Sequence, residues 1–272
     1  MHLFSASTPR FLISLIVSLA LASCQAFQSE DTTITLFAAS SLTDAFQDLT
    51  EEFQRQHPEL SFRTNFASSA QLAIQITQGA NADIFASADE RQMQLVTEHS
   101  DPVSEPVVFA TNSLVILVPA ENPAGVKSVP DLAEPGTELL LANPGTPLRS
   151  YSDQVLSLLS ERHQDGEIIR QRIMANVVSE EENARQVVAK IALGEADAAF
   201  AYRSDAESDL ASDSLVIPLP RDLQIEARYP IVLIQNASQG EWGSRFLNFV
   251  LSPEGQKILH KWGFGPGDPL DG

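Results

Sequence analysis

Apolar residues along this chain alternate between two rhythms. Thr33-Ile34-Thr35-Leu36-Phe37 is a short β-prone run, and Leu42, Ala45, Phe46, Leu49 and Phe53 then follow at helical spacing. The succession returns with a strand at 62–66 and a helix at 70–76 closed by Gly79. It returns again with a strand at 82–88 and a helix at 90–99 opened by Asp89, with Met93, Val96 and Leu95 turned inward. Strand and helix in strict alternation predict an open parallel sheet covered by helices. Residues 112–119 read as a buried strand stopped by Pro119. The turn-rich stretch 121–135, with Pro123, Pro130 and Pro135, then marks a boundary.

A second alternating series begins beyond it. It comprises a strand at 138–143, a helix at 151–161 with Val155, Leu158 and Leu159 inside, a strand at 175–178 and a helix at 184–193 capped by Gly194. A strand at 198–202 follows and ends in Tyr202. Further strands fall at 215–217 and 230–234, and a helical tail over 241–262 is interrupted at Ser252-Pro253, a cap and first-turn pair for a new helix. The pattern predicts two α/β halves in series plus a returning segment.

The N-terminus follows a different logic. Arg10 precedes an apolar run of about a dozen residues, too short for a typical spanning helix and suited to a signal peptide. It ends in Leu21-Ala22-Ser23-Cys24, which resembles the lipobox of bacterial lipoproteins and implies that Cys24 is lipidated and begins the mature chain. Residues 1–23 are then a leader and 24–32 a polar tether. Cys24 is the only cysteine, so an exported chain has no internal disulfide and no thiol nucleophile in its fold.

Charge narrows the partners. The chain carries 36 acidic and 17 basic side chains, a net charge of −19, which argues against nucleic acid. An anion site on such a surface must work by local dipoles and hydrogen bonds. The sequence lacks a nucleophile elbow, a P-loop and a dinucleotide fingerprint, and its histidines are never paired at ligand spacing. Glu180-Glu181-Glu182 suggests a cation site or, more economically, a solvated helix start.

What recurs is Ala-Ser-Ser at a strand-to-helix junction, at 39–41 and again at 67–69. Helix starts expose backbone N–H groups and a partial positive charge, and can hold an anion. In a parallel sheet both starts share one edge. Ser41 alone also reads as an ordinary N-cap with Asp44 three residues on.

From Thr33 to Phe264 the chain resembles the molybdate-binding proteins that serve ABC importers. The likeness is carried by residues 37–43, 66–69, 82–89 and 201–206 and by Lys261-Trp262-Gly263-Phe264. It implies a type II periplasmic-binding-protein-like fold of two lobes, each a mostly parallel sheet flanked by helices. Residues 33–118 plus 227–272 form one lobe and 119–226 the other, with crossings at 114–118 and 230–234. It implies that Ser41, Ser69 and Tyr202 donate hydroxyl hydrogen bonds, and Leu148 and Ala184 backbone ones, to a tetrahedral dianion, molybdate or tungstate. It further implies an extracytoplasmic, lipid-anchored monomer that hands its ligand to an ABC permease, with no catalysis, cofactor or metal-cation ligand. Two positions depart from the family pattern. Arg149 stands where glycine is common and brings a charge near the pocket, and Ala184 stands where valine is common.

Hydroxyls and N–H groups suit a fully ionised oxyanion, each bond to an ionised partner contributing about 1.5–3 kcal/mol. A protonated phosphate would need a carboxylate acceptor, for which Asp44 and Asp205 are near in sequence. The competing readings are a binding protein or sensor subunit for another oxyanion such as sulfate, and a lipid-anchored hydrolase using Ser41 or Ser69.

Overall fold

A computed structural model of the chain describes residues 32–100, 102–234 and 240–268. The leader, Cys24 and all of the tether except Thr32 lie outside the described residues.

Three parallel strands open the fold: β1 (Thr32–Ala39), β2 (Leu60–Ala67) and the short β3 (Ile84–Ala86). Helices α1 (Thr43–Gln56) and α2 (Ser69–Thr77) provide the crossovers, as the alternation predicts. In register, Ala39 pairs with Ala67 and Ala38 with Ala86, so the chain leaves all three strands at one edge. Helix α3 (Glu90–His99) follows, capped by Asp89, whose carboxylate accepts from the Gln92 N–H at 2.9 Å.

The second parallel group is β5 (Leu139–Ala142), β6 (Val177–Glu181) and β7 (Ala198–Tyr202). Its crossovers are α4 (Pro147–Arg162) with α5 (Gly166–Ala175), and α6 (Ala184–Ala192). Short α7 (Arg203–Ala206) leads to β8 (Ser214–Pro218), and β9 (Glu226–Leu233) returns along the sheet. Helices α8 (Gly240–Leu251) and α9 (Pro253–Lys261) and the two-residue β10 (Gly265–Pro266) end the described chain.

The expectation of mostly parallel sheets needs correction. The strand path is β2-β1-β3-β9-β4-β7-β5-β6, where β4 is the long strand Val107–Pro119, and β9, β8 and β10 all pair antiparallel to their neighbours. Parallel neighbours need a crossover. Helical crossovers join the parallel neighbours among β1 to β3 and β5 to β7, whereas β9 returns between β3 and β4 and runs against both, and β7, β8 and β10 run against β4. The sheet is therefore mixed. The core is not clearly split in two either, because one buried cluster runs from Ile34 and Leu36 through Leu114 and Ile116 to Leu140 and Leu141.

Strand β4 joins the two groups. Its residues 107–113 pair with β9 and its residues 114–119 with β7 and β8. On β9, the stretch 230–233 pairs with β3 and the start of β4, inside the first group. The expected crossing at 230–234 is thus misplaced, and the chain passes between groups before β9 begins. Pro230 interrupts the ladder of a central strand, which is tolerated because it sits at the register shift between Val108 and Ala110.

Helix α1 packs on β1 and β2 and meets α8 and the start of β4. Phe46 meets Phe109 at 5.6 Å and Phe53 meets Phe246 at 5.3 Å, both edge to face. Such pairs contribute about 0.5–1.5 kcal/mol beyond their area. They anchor α1, and with α1 the turn before it.

Candidate functional site

Four helix starts converge on one small pocket. A 3-10 turn over Ser40–Leu42 joins β1 to α1, and α2, α4 and α6 present their first residues to the same space. The caps are local. Ser68 accepts from the Gln71 N–H at 3.3 Å while the Gln71 side chain accepts from the Ser68 N–H, a complete capping box. Thr146 accepts from the Arg149 N–H at 3.4 Å and Asn183 from the Gln186 N–H at 3.1 Å. Each cap takes the N–H three residues into the helix. The first-turn N–H groups of Leu148 and Ala184, which have no acceptor within the helix, are left at the pocket wall. Before α4, Asn143-Pro144-Gly145-Thr146 closes with the Thr146 N–H on the Asn143 carbonyl. Gly145 lies at φ +88°, the Pro-Gly signature of a type II turn, where a side chain would be strained.

Ser41, Ser69, Leu148, Ala184 and Tyr202 all line this pocket, together with Ser40, Ser68, Thr146 and Asn183. Among the described residues, no charged side chain lines it. Its empty space, open mouth included, is about 230 Å³.

The three hydroxyls differ in their surroundings. Ser69 Oγ accepts from the Ala88 N–H at 2.9 Å, which leaves its own proton free to point into the pocket. Ser41 Oγ lies 3.0 Å from the Tyr229 hydroxyl. The Ser41 side chain therefore caps no helix, contrary to the plain N-cap reading, and the residue before α1, Leu42, makes no side-chain cap. Tyr202, 1 % exposed, has a buried hydroxyl with no partner among the described residues. A buried hydroxyl left unpaired costs about 1–3 kcal/mol, so its position at the pocket wall points to a ligand acceptor. Burial pushes the Tyr202 phenol well above its ordinary range, so it keeps the proton it would donate. Tyr151 and Tyr229 stack edge-on against its ring at 6.3 and 5.7 Å and fix its direction.

Arg149 does not charge the pocket. Its guanidinium pairs with Asp153 at 2.9 Å and with Glu180, and it donates to the Ala142 carbonyl. Glu181, at the end of β6, is paired with Lys190 at 2.7 Å. Glu180 and Glu181 are therefore ion-pair partners at a strand end, and only the exposed Glu182 stands beside the Asn183 cap of α6. The two carboxylates near in sequence also stand back. Asp44 pairs with Arg185 at 2.6 Å, tying the start of α1 to the start of α6. Asp205 is buried behind Tyr202, where it accepts from the Tyr202 N–H at 3.4 Å. Burial pushes its carboxyl up to about 7, against the lowering pull of the Tyr202 N–H and of Arg185 and with a raising push from Asp44. Tyr229, which the sequence pattern does not single out, lies in β9 just before Pro230, where that pattern starts the strand.

Donor-bearing helix starts from both groups of strands, facing one small uncharged pocket in a mixed α/β sheet, define a type II periplasmic-binding-protein-like molecule. Residues 34–265 match the bacterial extracellular solute-binding protein family. Over 231 residues the chain is 35 % identical to the molybdate-binding protein ModA of Mycobacterium tuberculosis, covering 85 % of this chain and 84 % of that one. It is 27 % identical to the putative ABC transporter substrate-binding lipoprotein YvgL of Bacillus subtilis, over 93 % and 96 % of the two chains. The periplasmic molybdate-binding protein of Azotobacter vinelandii shares the fold, with a TM-score of 0.74 at 19 % identity over 87 % of this chain and 100 % of that one. The chain belongs to the bacterial extracellular solute-binding protein family and is related to the molybdate-binding proteins. It is an extracytoplasmic, non-catalytic solute-binding protein.

Proposed function

We propose that this protein captures molybdate, or tungstate, and delivers it to an ABC permease. The observation that carries the reading is the buried Tyr202 hydroxyl, without a partner among the described residues, beside Ser41, Ser69 and the first-turn N–H groups of Leu148 and Ala184. All five are uncharged donors, and the aligned dipoles of three helices add to them. Hydrogen bonds to an ionised acceptor of about 1.5–3 kcal/mol each offset the dehydration of a dianion and the ordering of the site.

In this reading two lobes close on the ion, residues 33–118 with 227–272 against 119–226. Ser41 and Ser69 come from the first, and Leu148, Ala184 and Tyr202 from the second. The ion favours the closed form because only that form places all five groups around it. The pairing of β4 supports a boundary nearer Ser113 than Val118. Cys24 carries a lipid that holds the monomer at the membrane surface through the tether 24–32.

Sulfate is the second reading, because the same donors accept any tetrahedral dianion. Thermal unfolding of the protein with molybdate, tungstate, sulfate and phosphate separates the two. A ligand at 100 times its dissociation constant stabilises by about 2.7 kcal/mol. A shift with molybdate and tungstate at concentrations where sulfate and phosphate give none supports the proposal. A shift with sulfate alone replaces it.

A further inference from the structure

Behind Ser41 runs a chain of polar groups that touches no part of the pocket. The Tyr229 hydroxyl lies 3.0 Å from Ser41 Oγ and 3.4 Å from Asn112 Nδ2, and Asn112 Nδ2 also donates to Ser204 Oγ at 2.8 Å. On the other side of the amide, Asn112 Oδ1 accepts from the Ser113 N–H at 2.9 Å and the Ser204 N–H at 3.4 Å. A backbone N–H is an obligate donor, so two of them fix the amide with its oxygen toward them and its NH2 toward Tyr229. Asn112, Tyr229 and Ser41 are all buried.

The direction then propagates. Asn112 offers a hydrogen to Tyr229, so the phenol oxygen accepts there, and its single proton goes to its other neighbour, Ser41 Oγ. Ser41 in turn accepts from Tyr229, and its own proton must find another acceptor. Among the described residues its side chain has no second partner, and the remaining direction is the pocket. We propose that Asn112 and Tyr229 are specificity-determining positioning residues, which oblige Ser41 to present a proton to the pocket and so restrict the site to oxyanions that carry none. The inference rests on the proposed oxyanion function and deepens it. Burial holds the Tyr229 phenol well above its ordinary range, so the relay keeps its proton under ordinary conditions.

The test uses the protein and its variants Tyr229→Phe, Asn112→Asp and the double variant, titrated calorimetrically at pH 8 with molybdate and with inorganic phosphate, after unfolding curves have shown that each variant is folded. Tyr229→Phe frees Ser41 to turn its lone pair inward. Molybdate affinity is expected to fall about tenfold, the low end of one charge-assisted hydrogen bond, and the preference for molybdate over phosphate to narrow. Asn112→Asp places an acceptor against Tyr229 and reverses the relay, with an expected loss of about a hundredfold. The decisive reading is the double variant. Removing the Tyr229 hydroxyl cuts the reversed relay, so the double variant should bind molybdate more tightly than Asn112→Asp alone. Two merely structural lesions would add or worsen instead.

If the unaltered protein binds molybdate selectively while the variants keep that selectivity, or the double variant is the weakest binder, the relay is refuted and the proposed function stands. If the unaltered protein binds no oxyanion, both are refuted. Should Asn112→Asp fail to fold, Tyr229→Phe decides alone through the molybdate-to-phosphate ratio.

Discussion

Ser41 and Ser69 leave neighbouring parallel strands at the same edge of the sheet, yet they are held in opposite ways. Ser69 follows a full capping box, and its hydroxyl is oriented by a backbone donor, the Ala88 N–H. Ser41 sits in a 3-10 turn without a side-chain cap, and its hydroxyl is oriented by Tyr229, a side chain from the far end of the sequence. A backbone donor cannot be mutated away or reversed, whereas a tyrosine can. The Ser69 junction supplies a fixed donor and the Ser41 junction a tunable one, so discrimination among ligands is expected to vary at Ser41.

The difference can be measured. Replacing both serines, Ser41→Ala with Ser69→Ala, removes two charge-assisted bonds of about 1.5–3 kcal/mol each. Calorimetry should show molybdate affinity lower by roughly a hundredfold to ten-thousandfold. Of the single changes, only Ser41→Ala should be masked in a Tyr229→Phe background.

A smaller effect comes from Asp205, which lies on the Tyr229 side. Its carboxyl is raised to about 7 from 3.8, so the native state holds more protons than the unfolded chain between those values. Stability from this group is full below about pH 4 and is lost as pH rises through 7. Asp205→Asn removes the loss. The variant should gain up to about 4 kcal/mol relative to the unaltered protein between pH 4 and pH 8, measured by urea unfolding across that range.

Ser68→Ala breaks the capping box of α2 and should lower stability by about 1 kcal/mol. Ser40→Ala, at the uncapped junction, should stay within about 0.5 kcal/mol, and equal losses would erase the distinction between the two starts. Arg185→Ala removes the partly exposed pair with Asp44 that ties α1 to α6, a contact in the class of about 0–1 kcal/mol. Stopped-flow release should speed up by a few-fold at most, and less at high salt.

Much of this was written in local pattern. The strand ending at Tyr202, the break at Ser252-Pro253 and the Asp89 cap depend on neighbours in sequence, and the fold places them where the pattern predicts. The five candidate donors were named through resemblance and now line one pocket. Where reading failed, long-range contacts or weak periodicity were at work. Helix α5 went unread because it turns little of its surface inward, burying only Gly166 and Ile173. Gly166 lies so close to the Leu159 carbonyl that a Cβ would sit 2.1 Å from it, a constraint that no local pattern carries. Helix α4 begins at Pro147, and there the signal was present, a threonine cap followed by proline at the first position. Tyr229 and Asn112 matter through partners 188 and 92 residues away, and spacing cannot reveal such pairs.

The most direct test is thermal unfolding of Tyr202→Phe with and without molybdate. A buried hydroxyl that waits for an anion stabilises only the complex. Without ligand the variant should therefore unfold no lower than the unaltered protein, while the upward shift produced by saturating molybdate should shrink. An undiminished shift, or a variant destabilised equally with and without molybdate, would contradict the account.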